Sequence, residues 1–433
     1  PVSGLRSPVS GLRSPVSGFR HPVSGIRYPA SRAVPCSSGV HRDPAQKHPP
    51  MRDLLSRALR GFPAPVRRFL SRLPGSTAIR RELHRPRGTS PSRGTLRPVV
   101  YLPTWLSWDV MRQRPQSLLA ALASTGHPVY FVDPRERAVR TDGGVTIVPS
   151  LRATPQRSAL LYVHHAPSRG PAAWFADSAL IYDVLDDLSM YALDEQGSRT
   201  AVQTATHHPH LLRSADVVIA ASKVLADGVR VERPDVLLVE NGVDPSRFNT
   251  PHPRPSELPA GAPIVGYHGA IAPWFDFRLL TEVALAHPEW RFVLVGPVAP
   301  EVRDEAQRVG RLPNVIAIGE RLGSEIPAYV QAFDVGAVWF RVSEVTRAVS
   351  PLKVFEYLAA SVPVVSTPLP ACIGIDGVAV ASSTVDFAAA ISTALALKDG
   401  DRLRRSADVA AWSRRIEPLL RELDNRGLRR VAA

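Results

Sequence analysis

Two doubly wound α/β domains in tandem, facing each other across a cleft, are what this 433-residue sequence predicts. From residue 98 onward, short β-branched runs alternate with helical patterns, which is how a mostly parallel sheet covered on both faces is written. Thr250–Pro263, dense in Pro and Gly, interrupts the alternation, which then restarts. The charge is also segregated. Residues 1–97 hold 19 basic and 3 acidic side chains, whereas residues 98–433 hold 34 and 36. The formal +14 therefore belongs to a leader, and the folded part is nearly neutral.

The leader has two parts. PVSGLRS occurs at 1–7 and 8–14, followed by PVSGFRH at 15–21 and PVSGIRY at 22–28. A Pro and a Gly in every seven-residue unit exclude a coiled coil. Residues 1–50 are expected to be disordered, and Met51, the first methionine, is the expected native start. In 51–97, Leu54, Leu55, Leu59 and Phe62, then Val66, Phe69, Leu70 and Leu73, recur at helical spacing among arginines. This is a basic amphipathic arm suited to an anionic membrane surface, or a helix pair docked on the protein's own core.

The first domain, 98–250, has expected strands at Pro98–Leu102, Pro128–Val132, Val145–Val148, Leu160–Val163, Leu180–Val184, Asp216–Ala220 and Val236–Val239. A helix is expected over Gln113–Ser124, with Gly126 at its end. The second domain, 260–400, has expected strands at Ile264–Tyr267, Phe292–Val295, Val315–Ile318, Val335–Phe340, Val362–Ser366 and Val378–Ala381. Its expected helices are Phe277–Ala286, Pro351–Ala360 and Val385–Leu397. Residues 401–433 read as an Arg-rich C-terminal helix at the domain junction.

Composition removes several function classes. Cys36 and Cys372 are the only cysteines, so neither a disulfide scaffold nor a cysteine zinc site is available. No apolar run reaches about 18 residues, the length of a membrane-spanning helix. A nucleic-acid-binding protein, the non-enzyme alternative, should carry its positive charge on the folded domain, and this one does not.

Ser350–Ser366 is the most informative segment. Ser350 is a good N-cap and Pro351 a good first helical residue. Lys353 and Glu356, three apart, share the face opposite Leu352, Phe355 and Ala359. A lysine in the first turn of a helix makes a phosphate site, and a carboxylate one turn on can accept hydrogen bonds from ribose hydroxyls. The bland alternative is a solvated Lys–Glu pair. In the first domain, Asp183, Asp186 and Asp187 follow a predicted strand and are candidates for a general base, though Asp186 or Asp187 can equally cap a helix starting at Leu188. His164 and His165 are second-rank candidates. His207, His208 and His210 lack a supporting carboxylate and read as surface residues, so no metal is expected.

Over roughly 98–400 the motifs together resemble the GT-B glycosyltransferases. They are Trp108-Asp109 with Arg112-Gln113-Arg114-Pro115-Gln116, Asn241-Gly242-Val243-Asp244, Gly266–Ile271 with Trp274–Asp276, Trp290–Pro297, Asn314–Gly319 and Pro351–Val365. Within them, the sequence resembles group 1-like enzymes of the bacterial cell-surface polysaccharide branch. The resemblance implies two Rossmann-like domains, with the acceptor on the first and a nucleotide-sugar donor on the second. It implies sugar transfer from a nucleotide-diphosphate sugar to a hydroxyl of a glycan or lipid-linked acceptor, with no bound cofactor. It also implies a cytoplasmic enzyme, peripheral on the inner face of the plasma membrane. Donor-site residues would be Gly269 with its neighbouring amides, Ser350, Lys353, Glu356, Glu320 and Arg321. Arg112 and Arg114 would meet donor phosphates or an anionic acceptor, or Arg114 would anchor its loop. Two departures stand out: Ala348 occupies a position where many relatives have glutamate, and the loop Gly269–Trp274 lacks the usual basic pair. Nucleotide-sugar 2-epimerases share the fold and are the alternative enzyme reading.

Overall fold

The computed structural model describes residues 91–432 apart from 105, 111, 187–194 and 398; for 195–201 it describes the backbone only. The repeat at 1–50, the basic segment up to residue 90, Asp187 and a helix start at Leu188 lie outside the described residues.

Two sheets follow one another along the chain, and each is the centre of a lobe. The first contains β1 (Val99–Tyr101), β2 (Val129–Val132), β3 (Arg140–Asp142), β4 (Val145–Val148), β5 (Leu160–Val163), β6 (Ala179–Val184), β7 (Val217–Ala220) and β8 (Leu237–Leu238), in the order β3-β4-β2-β1-β5-β6-β7-β8. All neighbours pair in parallel except β3 with β4. The second contains β9 (Ile264–His268), β10 (Arg291–Val295), β11 (Val315–Gly319), β12 (Val335–Val338), β13 (Val364–Ser366) and β14 (Val378–Val380). Its order is β11-β10-β9-β12-β13-β14, all parallel. That is the doubly wound order, which reverses direction beside the first strand and opens a crevice at its carboxyl end.

Nearly every expected strand of 98–400 is present within one or two residues. Strand β3 was not expected. It is the first arm of a hairpin whose turn, Gly143-Gly144, has both φ values positive (54° and 78°), as the tight turn matching strand twist requires. Unread short helices include Lys223–Val229, Pro245–Asn249, Arg303–Val309 and Ile326–Gln331, each too short to show a clear period.

Burial explains the strands' apolar content. β1, β5 and β7 are buried along their whole length, because helices cover both faces of the first sheet. Two clusters, one for each face, make up its core. The second lobe has one large cluster, including Tyr267, Phe292, Trp339 and Tyr357. Tyr357 lies directly over β12: a Cβ on Gly336 would come within 2.4 Å of its ring.

The C-terminal segment is three helices rather than one. Gly400–Val409 contributes Leu403 and Ala407 to the second lobe's core. Trp412–Arg415 and Glu417–Asn425 then contribute Trp412, Ile416, Leu419 and Leu423 to the first lobe's core. The chain therefore crosses between lobes twice, and the crossings bond to each other. The Val243 amide donates to the Ala410 carbonyl (3.0 Å) and the Trp412 amide to the Val243 carbonyl (2.9 Å). Among the described residues, no helix is long and apolar enough to cross a membrane.

Candidate active site

A cavity of about 470 Å³ lies between the lobes, at the carboxyl end of β9. Its floor is bare backbone. β9 ends at His268, Gly269 follows with φ 118°, and Gly296, after β10, has φ 148°. A Cβ on Gly296 would stand 2.1 Å from the Gly269 carbonyl oxygen, so only glycine fits. The Gly269 amide donates to the Val295 carbonyl (2.9 Å) and the Gly296 amide to the Gly319 carbonyl (2.8 Å). Gly269 lines the cavity as expected, but its amide is engaged in the sheet. What this glycine allows is close approach of the backbone to the cavity; of the neighbouring amides, that of Ile271 donates to the Pro297 carbonyl (2.9 Å).

The helix Leu352–Ala359 presents its first turn to the cavity. Pro351, not Ser350, is its N-cap, and it offers no side-chain cap. The residue before it is tied across the lobes: the Ser350 carbonyl accepts a hydrogen bond from Asn241 Nδ2 at 2.5 Å. Lys353 Nζ sits 4.7 Å from the Phe340 ring centroid and 5.2 Å from that of Tyr267. No carboxylate among the described residues forms an ion pair with it. Burial pulls its pKa down to about 8, against the raising effect of Glu356 and Cys372. It is a lysine held in place by ring faces, with its charge turned to the cavity.

Glu356, one turn on, lies 3.1 Å from His268 Nε2. Burial raises the Glu356 carboxyl, but His268 foremost, then Arg247 and Lys353, outweigh it and hold the carboxyl below its ordinary value. His268 is braced edge-on against Tyr357 (5.2 Å between ring centroids). The Lys353–Glu356 pair is thus not a solvated surface pair.

Glu320 and Arg321 also line the cavity. Glu320 is exposed, and Arg321 is spent on protein groups, donating to the Tyr329 hydroxyl (2.8 Å) and the Ile318 carbonyl (3.1 Å) and pairing with Glu257. The first lobe contributes Arg112, Gln113 and Asp186. Its loop touches the second lobe at the cavity mouth, where Val110 bridges to Leu322 and the Gly323 amide donates to the Asp109 carbonyl (3.1 Å).

Two expected site residues are elsewhere. Arg114 and Asp183 are 1% and 0% exposed and bind each other through two hydrogen bonds, 2.7 and 3.1 Å. Asp183 also accepts from the Tyr162 hydroxyl, so it is not open to an acceptor. Arg114 donates its remaining branch to Asn241 Oδ1 (3.1 Å) and lies over Trp412. Its pKa is pulled down by burial but raised overall by Asp183. Arg114 is the loop anchor, not a phosphate contact. His164 and His165 flank a small recess with Asp186, and burial, then His165 and Arg114, push His164 down to about 3, so it is neutral. His207 accepts from Arg169, and His208 bonds the Tyr182 hydroxyl. No metal-binding group of His, Cys, Asp or Glu occurs among the described residues.

Three residues were not singled out from the sequence: His268, Asn241 and Arg247. Asn241 and His268 lay inside quoted motifs. Arg247, on the helix Pro245–Asn249 capped by Asp244, had no visible signal beyond following the Asn241–Asp244 motif.

Residues 262–396 match the family model described as glycosyl transferases group 1. Over 167 residues the chain is 39% identical to the putative teichuronic acid biosynthesis glycosyltransferase TuaH of Bacillus subtilis (strain 168). The match spans 37% of this chain and 42% of that relative, so less than half of the relative's length is covered. Among solved structures, sucrose-phosphate synthase from Thermosynechococcus elongatus matches with a TM-score of 0.55 at 17% identity, over 76% of this chain and all of that one. Anabaena HepE in complex with UDP and glucose matches with a TM-score of 0.51 at 15% identity, over 75% of this chain and 99% of that one. At such identities these likenesses establish the fold, the two-lobed GT-B arrangement.

The Arg114–Asp183 pair is a strong stability element because removing one partner leaves a buried unpaired charge. Arg114→Ala should cost about 3–5 kcal/mol. Thermal melting of the variant at or near the wild-type temperature would contradict this placement.

Proposed function

We propose, from the match of residues 262–396 to the glycosyl transferases group 1 model, that the chain transfers a sugar from a nucleotide-diphosphate sugar to an acceptor hydroxyl. The observation carrying this reading is Lys353: a cation in no ion pair with a carboxylate among the described residues, framed by Tyr267 and Phe340 at the carboxyl end of the second sheet. In the reaction the acceptor oxygen bonds to the sugar's anomeric carbon as the bond from that carbon to the phosphate oxygen breaks. Negative charge grows on the departing diphosphate. A cation in a partly dry cavity, beside the uncapped first turn of a helix, stabilises that charge more than it would in water.

The lobes divide the work: the first, from 98 to the crossing at Val243, binds the acceptor, the second, on which the helix Pro245–Asn249 packs through Phe248, binds the donor, and 401–433 joins them. Glu356, ionised and held by His268, accepts from the ribose hydroxyls. The exposed Glu320 and the braced Arg321 border the base, and the Ser350 segment sets where the helix begins. The acceptor's proton goes to a carboxylate after β6. Asp186 lines the first-lobe side of the cavity and is the candidate, with Asp187 next in sequence. The UDP and glucose in the HepE complex support a nucleotide-sugar donor. The TuaH likeness supports an acceptor in bacterial surface polysaccharide or glycolipid synthesis. The arginine-rich pattern of 51–97 supports placement on the anionic inner face of the plasma membrane.

Lys353→Ala and Glu356→Ala should each weaken nucleotide-sugar affinity by about 10-fold or more. In the wild type, Lys353 is protonated below about 8 and neutral above it. Affinity should therefore be flat below that pH and fall above it towards the level of the Lys353→Ala variant, and Lys353→Arg should remove the bend. Calorimetry giving unchanged donor affinity in both alanine variants would refute the donor assignment. Asp186→Asn or Asp187→Asn should lower turnover by about 100-fold with donor affinity kept; wild-type turnover in both would eliminate the carboxylate. The full chain should sediment with anionic liposomes and a chain starting at residue 98 should not, so equal sedimentation would remove the membrane role from 51–97.

A further inference from the structure

We propose that Arg112 and Arg247, one from each lobe, clamp the donor's diphosphate between them, so that the leaving group is held by both lobes and not by the second alone. The inference rests on the donor site proposed above and adds two residues to its phosphate contacts. Four basic side chains line the cavity: Arg112, Arg247, Arg321 and Lys353. Arg321 is consumed by Glu257, Tyr329 and backbone carbonyls. Lys353 supplies one positive charge, whereas a diphosphate brings about two negative ones. The loop Gly269–Trp274 after β9 contains no basic residue. The remaining charge must come from elsewhere on the cavity wall.

Arg112 and Arg247 are placed for it. Neither forms an ion pair with a carboxylate among the described residues. Arg112 has one marginal hydrogen bond, Nε to Ser117 Oγ at 3.4 Å, and its guanidinium lies 5.5 Å from the Trp108 ring centroid. Arg247 gives one N–H to the Gly323 carbonyl (2.8 Å) and lies 5.6 Å from the Phe248 ring centroid. Both retain most of their fork of donors, which matches phosphate oxygens in pairs. The two also feel each other: burial, then the charge of Arg247, draws Arg112 down to about 10. The Asp142, Asp244 and Glu356 carboxylates offset only part of this on Arg112. The two half-buried guanidiniums oppose each other, and an anion placed between them reverses the sign of that interaction. Each is fixed by its own lobe. Arg112 belongs to the loop leading into the helix Arg114–Ser124, and Phe248, next to Arg247, is buried in the second lobe's core.

The test is calorimetry on the full chain with UDP, GDP and ADP, each beside its monophosphate and nucleoside. Arg112→Gln and Arg247→Gln should each weaken the best diphosphate by about 10- to 100-fold, its monophosphate less, and its nucleoside not at all. Glutamine at 247 can still donate to the Gly323 carbonyl, so a purely structural role would leave diphosphate affinity intact. Arg247→Lys should restore part of the loss. Equal loss for nucleoside and diphosphate, or none for either, overturns the clamp. So does unchanged diphosphate affinity with a raised acceptor KM, which would assign the pair to an anionic acceptor. A wild-type protein that binds none of the three diphosphates refutes the donor site itself.

Discussion

The relative position of the lobes depends on one buried polar relay. Asp183, at the end of β6, holds Arg114; Arg114 holds Asn241 at the crossing between lobes; Asn241 holds the Ser350 carbonyl at the start of the Lys353 helix. Asp183, Arg114 and Asn241 are buried and the last link, at Ser350, is half-buried; each satisfies a group that would otherwise be costly to leave unpaired. Ser222 adds a parallel link, donating to the Ala348 carbonyl at 2.7 Å. A sheet strand of one lobe is thereby connected, through three side chains and the Ser350 carbonyl, to the start of the helix that faces the cavity in the other.

The relay ends where the helix Leu352–Ala359 begins. The Ser350 carbonyl accepts from Asn241, Pro351 is the N-cap, and the first turn is left without a side-chain acceptor. The orphan amides and Lys353 then share one wall of the cavity. The aromatic faces of Tyr267 and Phe340 stabilise the ammonium without neutralising it, which an acidic partner would have done. Glu356 is kept from pairing closely with Lys353 by its contact with His268.

Much of this was legible in the sequence because it depends on local pattern. Alternating apolar runs specify parallel strands, and the restart after Thr250–Pro263 specifies a second sheet. Lys353 and Glu356 fall on one helical face whatever the context. What was not legible depends on contacts between distant residues. Asp183 and Asp186 are indistinguishable in sequence, yet one is sealed against Arg114 and the other lines the cavity. Arg112 and Arg114 are two residues apart, and the strand-to-helix turn sends one to the cavity and the other into the core. The hairpin of β3 was signalled by Gly143-Gly144, but its strand is too polar to read as one. Three C-terminal helices read as one because their breaks, near Ala410 and Ile416, are set by which lobe's core each segment fills.

The distribution of cations has a consequence for how the lobes act on the proposed donor. A phosphate site built wholly on the second lobe would bind the donor equally well with the lobes apart or together, and binding would then do nothing to bring the acceptor lobe in. On the proposed clamp, charge split between Arg112 on one side and Arg247 and Lys353 on the other would make donor binding strongest when the lobes meet. The contact of Val110 and Asp109 with Leu322 and Gly323 is where they meet at the mouth of the cavity. Closure there also excludes water, which strengthens every charge interaction inside and removes the competing nucleophile. The relay through Arg114 and Asn241 is the fixed side of this arrangement. The guanidiniums at the mouth are the side that an anion can draw together.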